Sequence, residues 1–261
     1  MYYENKTGKI YYEIHGPDDA DTIVFSHGLG ANNEAFTAQV DVLKKHNQVI
    51  VWDMPYCGLS SPIDYKLPFS ATAADFIMEV LNTHKIKQVV HVGQSLGSFV
   101  VQHTAYKYQE RIRASVHIGS GPLYPPYHPL LNAVNPLVPL IFCLVPEKLM
   151  IKSFAKNKAL TEEARAYMFK ILANMEKKHM IHLTQEMYRD MVRGLPEPTN
   201  EPMLIIYGDH DQAFVKNISN RWHEKTPHSK LIEIKNAHHV ANQDNPTDFN
   251  KALQSFLQDL K

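Results

Sequence analysis

Cysteine is scarce, neither charge sign is in excess, and no hydrophobic run is long. The 261 residues hold two cysteines, Cys57 and Cys143, with no metal-ligand spacing around them. That excludes a disulfide-stapled scaffold, and two reduced thiols in a cytoplasmic protein are expected. Lysine plus arginine and aspartate plus glutamate both number 27, so no strong field draws the chain to nucleic acid or to an anionic membrane. The most apolar stretch, Pro136 to Pro146, is too short and too proline-rich to span a bilayer. The amino-terminal Met1-Tyr2-Tyr3-Glu4-Asn5-Lys6 has no apolar signal core. No repeat, metal motif or phosphate-binding loop occurs, so neither a metal nor another cofactor is expected.

What is present is ordinary for a globular chain: 44% apolar and 21% charged residues. The 15 histidines predict a protein that turns positive as imidazole titrates, below about pH 6.5. Tyr2–Asn5 and Lys9–His15 read as a hairpin, and Thr22–Ser26 and Gln48–Trp52 as strands buried on both faces. Helical patterns cover about Glu34–Lys45 and Ala71–His84, the second with Ser70 as its cap. Further strands fall at Gln88–Val92, Ile112–Ile118, Met203–Tyr207 and Lys230–Ile234, and further helices at Gln212–Glu224 and Thr247–Leu260. Alternating strands and helices predict an α/β fold with parallel pairing. The alternation fails from Pro122 to about Pro202: a stretch rich in proline, leucine and aromatics precedes a helical stretch from Thr161 to Arg193. Residues 1–121 and 203–261 are therefore expected to form a core, and 122–202 a helical lid inserted into it.

Gly93-Gln94-Ser95-Leu96-Gly97 joins a strand to a helix, the context in which a sharp turn pushes a serine hydroxyl out of the backbone. Such a hydroxyl needs a general base, and the base needs a partner to hold its tautomer. Loops at the carboxyl ends of parallel strands converge on one rim. After Ser95 that rim receives Gly208-Asp209-His210-Asp211 and then Asn236-Ala237-His238-His239, in the order nucleophile, acid, base. Of the two aspartates, Asp211 is favoured, because the third position after Gly208 turns its side chain to the rim. His238 and His239 are not separated by local chemistry. Backbone N–H groups of Leu96 and Leu29 are the candidate oxyanion donors, and Gly28 and Gly30 let the second turn approach a substrate.

With these motifs the chain resembles the serine hydrolases of the α/β-hydrolase fold that carry a helical cap. The resemblance implies a mostly parallel eight-stranded sheet with helices on both faces. It implies Asp211 as the acid, third after the strand-end glycine, and His239 as the base, seven residues before Pro246 at the start of the last helix. Asp53-Met54-Pro55-Tyr56-Cys57-Gly58-Leu59-Ser60 is similar to the family's Asp-x-Pro-Gly-x-Gly-x-Ser turn, with Tyr56 in place of a glycine; His238 also replaces a usual glycine. Ser95 argues against the family's dehalogenases and epoxide hydrolases, which use a carboxylate nucleophile. Carbon–carbon bond hydrolases keep the triad but usually carry a more glycine-rich turn where this chain has Leu29-Gly30-Ala31-Asn32. Cofactor-free haloperoxidase-like members share the triad, and some small-molecule receptors of this fold keep it too. The reading favoured by these residues is a hydrolase of small to medium apolar carboxylic esters or lactones. Tyr124, Tyr127 and Phe142 are expected among the lining residues. No lysine, arginine or aspartate lies between Gly119 and Glu147, so charged recognition is not expected.

Overall fold

The computed structural model describes residues 1–260. The chain opens with a hairpin of β1 (Tyr2–Asn5) and β2 (Gly8–His15), whose turn is held by Asn5: its side-chain oxygen accepts the N–H groups of Thr7 and Gly8. Six more strands follow: β3 (Thr22–Ser26), β4 (Gln48–Trp52), β5 (Val89–Gln94), β6 (Ile112–Ile118), β7 (Met203–Gly208) and β8 (Ser229–Ile234). All eight form one sheet in the order β1-β2-β4-β3-β5-β6-β7-β8. β1 is antiparallel to β2 and β2 to β4, and every other pair is parallel.

The α-helices are α1 (Thr37–Leu43), α2 (Phe69–Thr83), α3 (Leu96–Lys107), α4 (Leu137–Leu144), α5 (Glu147–Lys158), α6 (Glu162–Ala173), α7 (Lys177–Arg193), α8 (Ala213–Glu224), α9 (Ala241–Asp244) and α10 (Pro246–Asp259). The central strands are buried at every position because helices cover both faces. Alternate residues feed opposite cores: Val24 packs with Phe76 and Leu81 of α2 and Val100 of α3, while Ile23 and Phe25 pack with Phe36, with Val40 of α1, and with Phe249 and Leu253 of α10. Burial of each such side chain contributes about 1.5–3 kcal/mol, which is why the strand pattern reads as a continuous apolar run.

Three local expectations are revised. The helix expected from Glu34 begins as a 3-10 turn, Asn33–Phe36, with Asn32 accepting the Glu34 N–H. Ser70 does not cap α2. The helix starts two residues earlier than expected, at Phe69, and its Phe69 N–H is taken by the Glu186 carboxylate of α7 at 3.1 Å, a tertiary partner in place of a local hydroxyl. The helical stretch after Thr161 is broken at residues 174–176 into α6 and α7.

The histidines also depart from the simple titration expected. His27, His91 and His117 are fully buried, and burial lowers their pKa values to about 4, 3 and 3. His91 bridges Ser26 and Thr104 at 2.8 and 2.9 Å, and His117 bridges Ser98 and Ser115 at 2.8 and 3.0 Å. These rings are neutral hydrogen-bonding spacers between the sheet and α3. Both cysteines are free thiols, Cys57 buried and Cys143 exposed.

Between β6 and β7 the chain leaves the sheet and forms a 3-10 turn (Pro129–Val134) and then α4 to α7. These helices share a small core of their own, including Val138, Phe142, Ile151, Met168 and Leu172, which also takes in Val240, next to His239. No single helix among the described residues is long and apolar enough to cross a membrane.

Candidate active site

The turn from β5 into α3 takes a single residue. Ser95 has φ 51° and ψ −114°, and α3 begins at Leu96, two residues earlier than the sequence pattern suggests. A non-glycine residue held at such a φ costs on the order of 1–3 kcal/mol, so the surroundings must enforce it. They do: the Ser95 N–H donates to the Ile118 carbonyl at 2.8 Å. A Cβ on Gly93 would collide with the Gly97 backbone, and one on Gly97 with the carbonyls of Ser26 and His27. Both glycines are required by close backbone approach.

Ser95 Oγ lies 3.0 Å from His239 Nε2, and His239 Nδ1 lies 3.2 Å from each carboxylate oxygen of Asp211. Asp211 is itself oriented by the Gln212 N–H, which donates to its Oδ1 at 2.7 Å. Burial alone would raise the Asp211 pKa, but the adjacent imidazole and the Gln212 N–H hold it below the usual carboxylate value. His239 is buried, and that burial, followed by the positive charge of Lys158, lowers its pKa below the ordinary imidazole value; Asp211 acts in the opposite sense. With Nδ1–H directed at Asp211, Nε2 is free to accept the serine proton. The neighbours of both groups are occupied elsewhere. Asp209 Oδ1 accepts the Ala237 N–H at 3.1 Å, closing the turn between β7 and the histidines. His238 Nδ1 accepts the His239 N–H at 2.8 Å.

The turn after β3 is organised by His27. Its Nε2 accepts the Met54 N–H at 3.0 Å, and its Nδ1–H donates to the Gly28 carbonyl at 2.9 Å. Gly28 itself faces the side chain of Gln94, where a Cβ would collide, and it does not line the space above Ser95. Leu29 does.

That space is a cavity of about 570 Å³, floored by Leu29, Gln94, Ser95 and His239 and roofed by α4 to α7. Phe142 and Ile141 line it, as do Met150, Phe154, Met180 and Met187. Tyr124 and Tyr127 do not. Leu123 is fully buried and tied by its N–H to Gln102 Oε1 at 2.7 Å, which sends the following residues outward. The two tyrosines therefore line a separate cavity of about 370 Å³ against Ile218 and Trp222 of α8. The roof also brings in a charged residue that the sequence pattern did not single out, Lys158, the last residue of α5. Among the described residues no cluster of histidine, cysteine and carboxylate side chains is arranged to hold a metal ion.

The sequence model of the alpha/beta hydrolase fold family matches residues 21–194. The pimeloyl-[acyl-carrier protein] methyl ester esterase of Yersinia enterocolitica is 22% identical over 260 residues, covering 96% of this chain and 98% of that protein. Among solved structures, an esterase from Thermogutta terrifontis superposes with a TM-score of 0.86 at 17% identity, covering 100% of this chain and 99% of that one. The enol-lactonase of Burkholderia xenovorans LB400 superposes with a TM-score of 0.85 at 19% identity, covering 99% and 100%.

Proposed function

The chain belongs to the alpha/beta hydrolase fold family, and from that premise we propose that it is a serine hydrolase of carboxylic esters, lactones included, acting through an acyl-enzyme. The observation that carries this reading is the continuous chain of contacts from Asp211 through His239 to Ser95, at 3.2 and 3.0 Å, opening into a largely apolar cavity. Ser95 Oγ attacks the carbonyl while His239 Nε2 takes its proton, and Asp211 stabilises the imidazolium that forms. The developing oxyanion is held by the N–H groups of Leu96 and Leu29. Neither N–H donates to a protein acceptor among the described residues, and that of Leu96 lies at the positive end of α3. His239 then protonates the leaving alcohol. Water activated by the same imidazole attacks the acyl-enzyme, and the acid and the Ser95 hydroxyl are released.

Residues 122–202 act as a cap, a unit with its own apolar cluster that closes the cavity over the serine. An apolar acyl or alcohol group would be bound there mainly by removal of its surface from water. The esterase and enol-lactonase activities named for the similar proteins support the same bond classes.

A panel of p-nitrophenyl esters of graded chain length, with several lactones, tests the reading. The wild-type protein is expected to turn over the apolar members with saturation. Ser95→Ala is expected to lower kcat by several orders of magnitude, leaving the residual catalysis of the oxyanion donors. Equal turnover by Ser95→Ala would overturn the serine mechanism. Tight binding without turnover in the wild type would make the protein a receptor.

A further inference from the structure

Among the described residues, Lys158 is the one lysine, arginine or carboxylate residue lining the cavity that contains Ser95 and His239. The other lysines of α5, Lys148, Lys152 and Lys156, are exposed to solvent, as long charged side chains on a helix normally are. Lys158 is half-buried and turns inward. Among the described residues its ammonium pairs with no carboxylate, and its one hydrogen-bond partner is the side-chain oxygen of Gln212, at a long 3.5 Å. Its backbone is not free to swing away. The Lys158 carbonyl accepts the Val240 N–H at 3.2 Å, and the N–H groups of Leu160 and Thr161 both donate to Asp244 Oδ1 at 2.8 Å. The lysine is thus fastened to the loop that carries the base.

An ammonium drawn out of water needs a counter-charge, and three donors against one weak acceptor leave most of its hydrogen-bonding capacity unused. We propose that Lys158 is a carboxylate-binding residue, and that the preferred substrates are esters or lactones bearing a carboxylate that pairs with its ammonium inside this cavity. This deepens the ester-hydrolase reading and rests on it. Electrostatics support the geometry. Burial lowers the Lys158 pKa and the nearby Asp211 raises it, and an incoming carboxylate has the sign of Asp211. Lys158 in turn lowers the His239 pKa, so a bound carboxylate would cancel that influence and strengthen the base as the substrate docks.

The test compares the monomethyl esters of succinate, glutarate and adipate with neutral esters in which an isopropyl group replaces the carboxylate. The readout is the ratio of kcat/KM, anionic over neutral, in wild type, Lys158→Met and Lys158→Arg. For the best-fitting pair Lys158→Met is expected to lower the ratio about 10- to 100-fold, the scale of a charge-assisted hydrogen bond, and Lys158→Arg to retain part of it. In the wild type the acid limb of kcat should lie at higher pH than that of kcat/KM for the anionic ester and coincide with it for the neutral one. Hydrolysis with a ratio insensitive to Lys158→Met overturns the carboxylate site and leaves the hydrolase reading standing. If no ester is hydrolysed, the hydrolase reading fails. The site is then decided by calorimetry of monomethyl glutarate on Ser95→Ala: affinity lost in the Lys158→Met double variant supports it, and equal affinity overturns it.

Discussion

Asp209 and Asp211 stand two residues apart in the same loop, and only their surroundings separate their roles. Asp211 is buried against His239, whereas Asp209 accepts a backbone N–H of the following loop. Asp211→Asn is expected to lower kcat on the order of 10⁴-fold, because an amide opposite Nδ1 favours the wrong imidazole tautomer. Asp209→Asn keeps its oxygen for Ala237 and is expected to change kcat only a few-fold. Steady-state rates on one activated ester check both, and the reverse pattern would make Asp209 the acid. The base has its own signature. Burial and Lys158 lower the His239 pKa, so kcat/KM should rise with pH through a midpoint below the ordinary imidazole value of about 6.5. A midpoint above it in the free enzyme would show that Asp211 outweighs both. At this scale the meeting of Ser95, Asp211 and His239 was foreshadowed because each follows a core strand, in the chain order this fold uses, while His239 rather than His238 came only from the family resemblance. Lys158 was not, since it falls before Thr161, where the sequence pattern shows no helix, and a lone lysine there reads as solvated surface until α5 is folded over the serine.

The elements were legible where one pattern decides them, and less so where tertiary partners do. Each strand of the sheet was visible from its apolar run or turn residues, but the course of residues 122–127 depends on Leu123 reaching the core. No periodicity encodes that. The Asp53–Ser60 turn shows the same limit. Tyr56 has φ 70°, in the region that explains why the family places a glycine there. The tyrosine is held in it by a 2.7 Å hydrogen bond from its hydroxyl to the Ile63 carbonyl and by the rings of His179 and His182 from α7. A second junction between core and helical roof is Asp244. One of its carboxylate oxygens accepts from Leu160, Thr161 N–H and the Thr161 hydroxyl, and the other accepts the His238 N–H at 2.9 Å. Asp244→Ala leaves these half-buried donors without their protein partner, so a loss of about 1–3 kcal/mol is expected from urea unfolding. KM on apolar esters should rise as well, because the same carboxylate holds the start of α6 to the base loop. Unchanged stability and KM together would show that the junction does not depend on this carboxylate.

Across the whole molecule the buried histidines couple folding to pH. His27, His91 and His117 stay neutral in the fold down to about pH 4, 3 and 3, held there by burial. In the unfolded chain each takes up a proton near pH 6.5, so the unfolded state binds more protons as pH falls, and stability falls with it. Each such ring costs about 1.4 kcal/mol per pH unit, so the three together cost about 4 kcal/mol per unit. Asp190 acts the other way: burial raises its pKa to about 6, so the folded state gains a proton before the unfolded one does. That returns about 1.4 kcal/mol per unit below pH 6, so these three rings and Asp190 together lose about 3 kcal/mol per unit. His103, whose pKa burial lowers to about 4, adds about 1.4 kcal/mol per unit to the loss. Domain stabilities are about 5–15 kcal/mol, so two units of acidification should remove a large share of the total. Urea titrations at pH 7.5, 6.5 and 5.5 are expected to give unfolding free energies that fall by about 1 kcal/mol over the first step and by about 3 kcal/mol over the second. Constant stability to pH 5.5 would mean that the rings are protonated within the fold, which their hydrogen bonds oppose. His27 Nε2 accepts the Met54 N–H, and a second proton there would break that bond and loosen the turn that presents Leu29 to the substrate. Acid inactivation should therefore have two separable parts: an immediate, reversible loss as His239 protonates, and a slower loss that tracks unfolding in the same buffers.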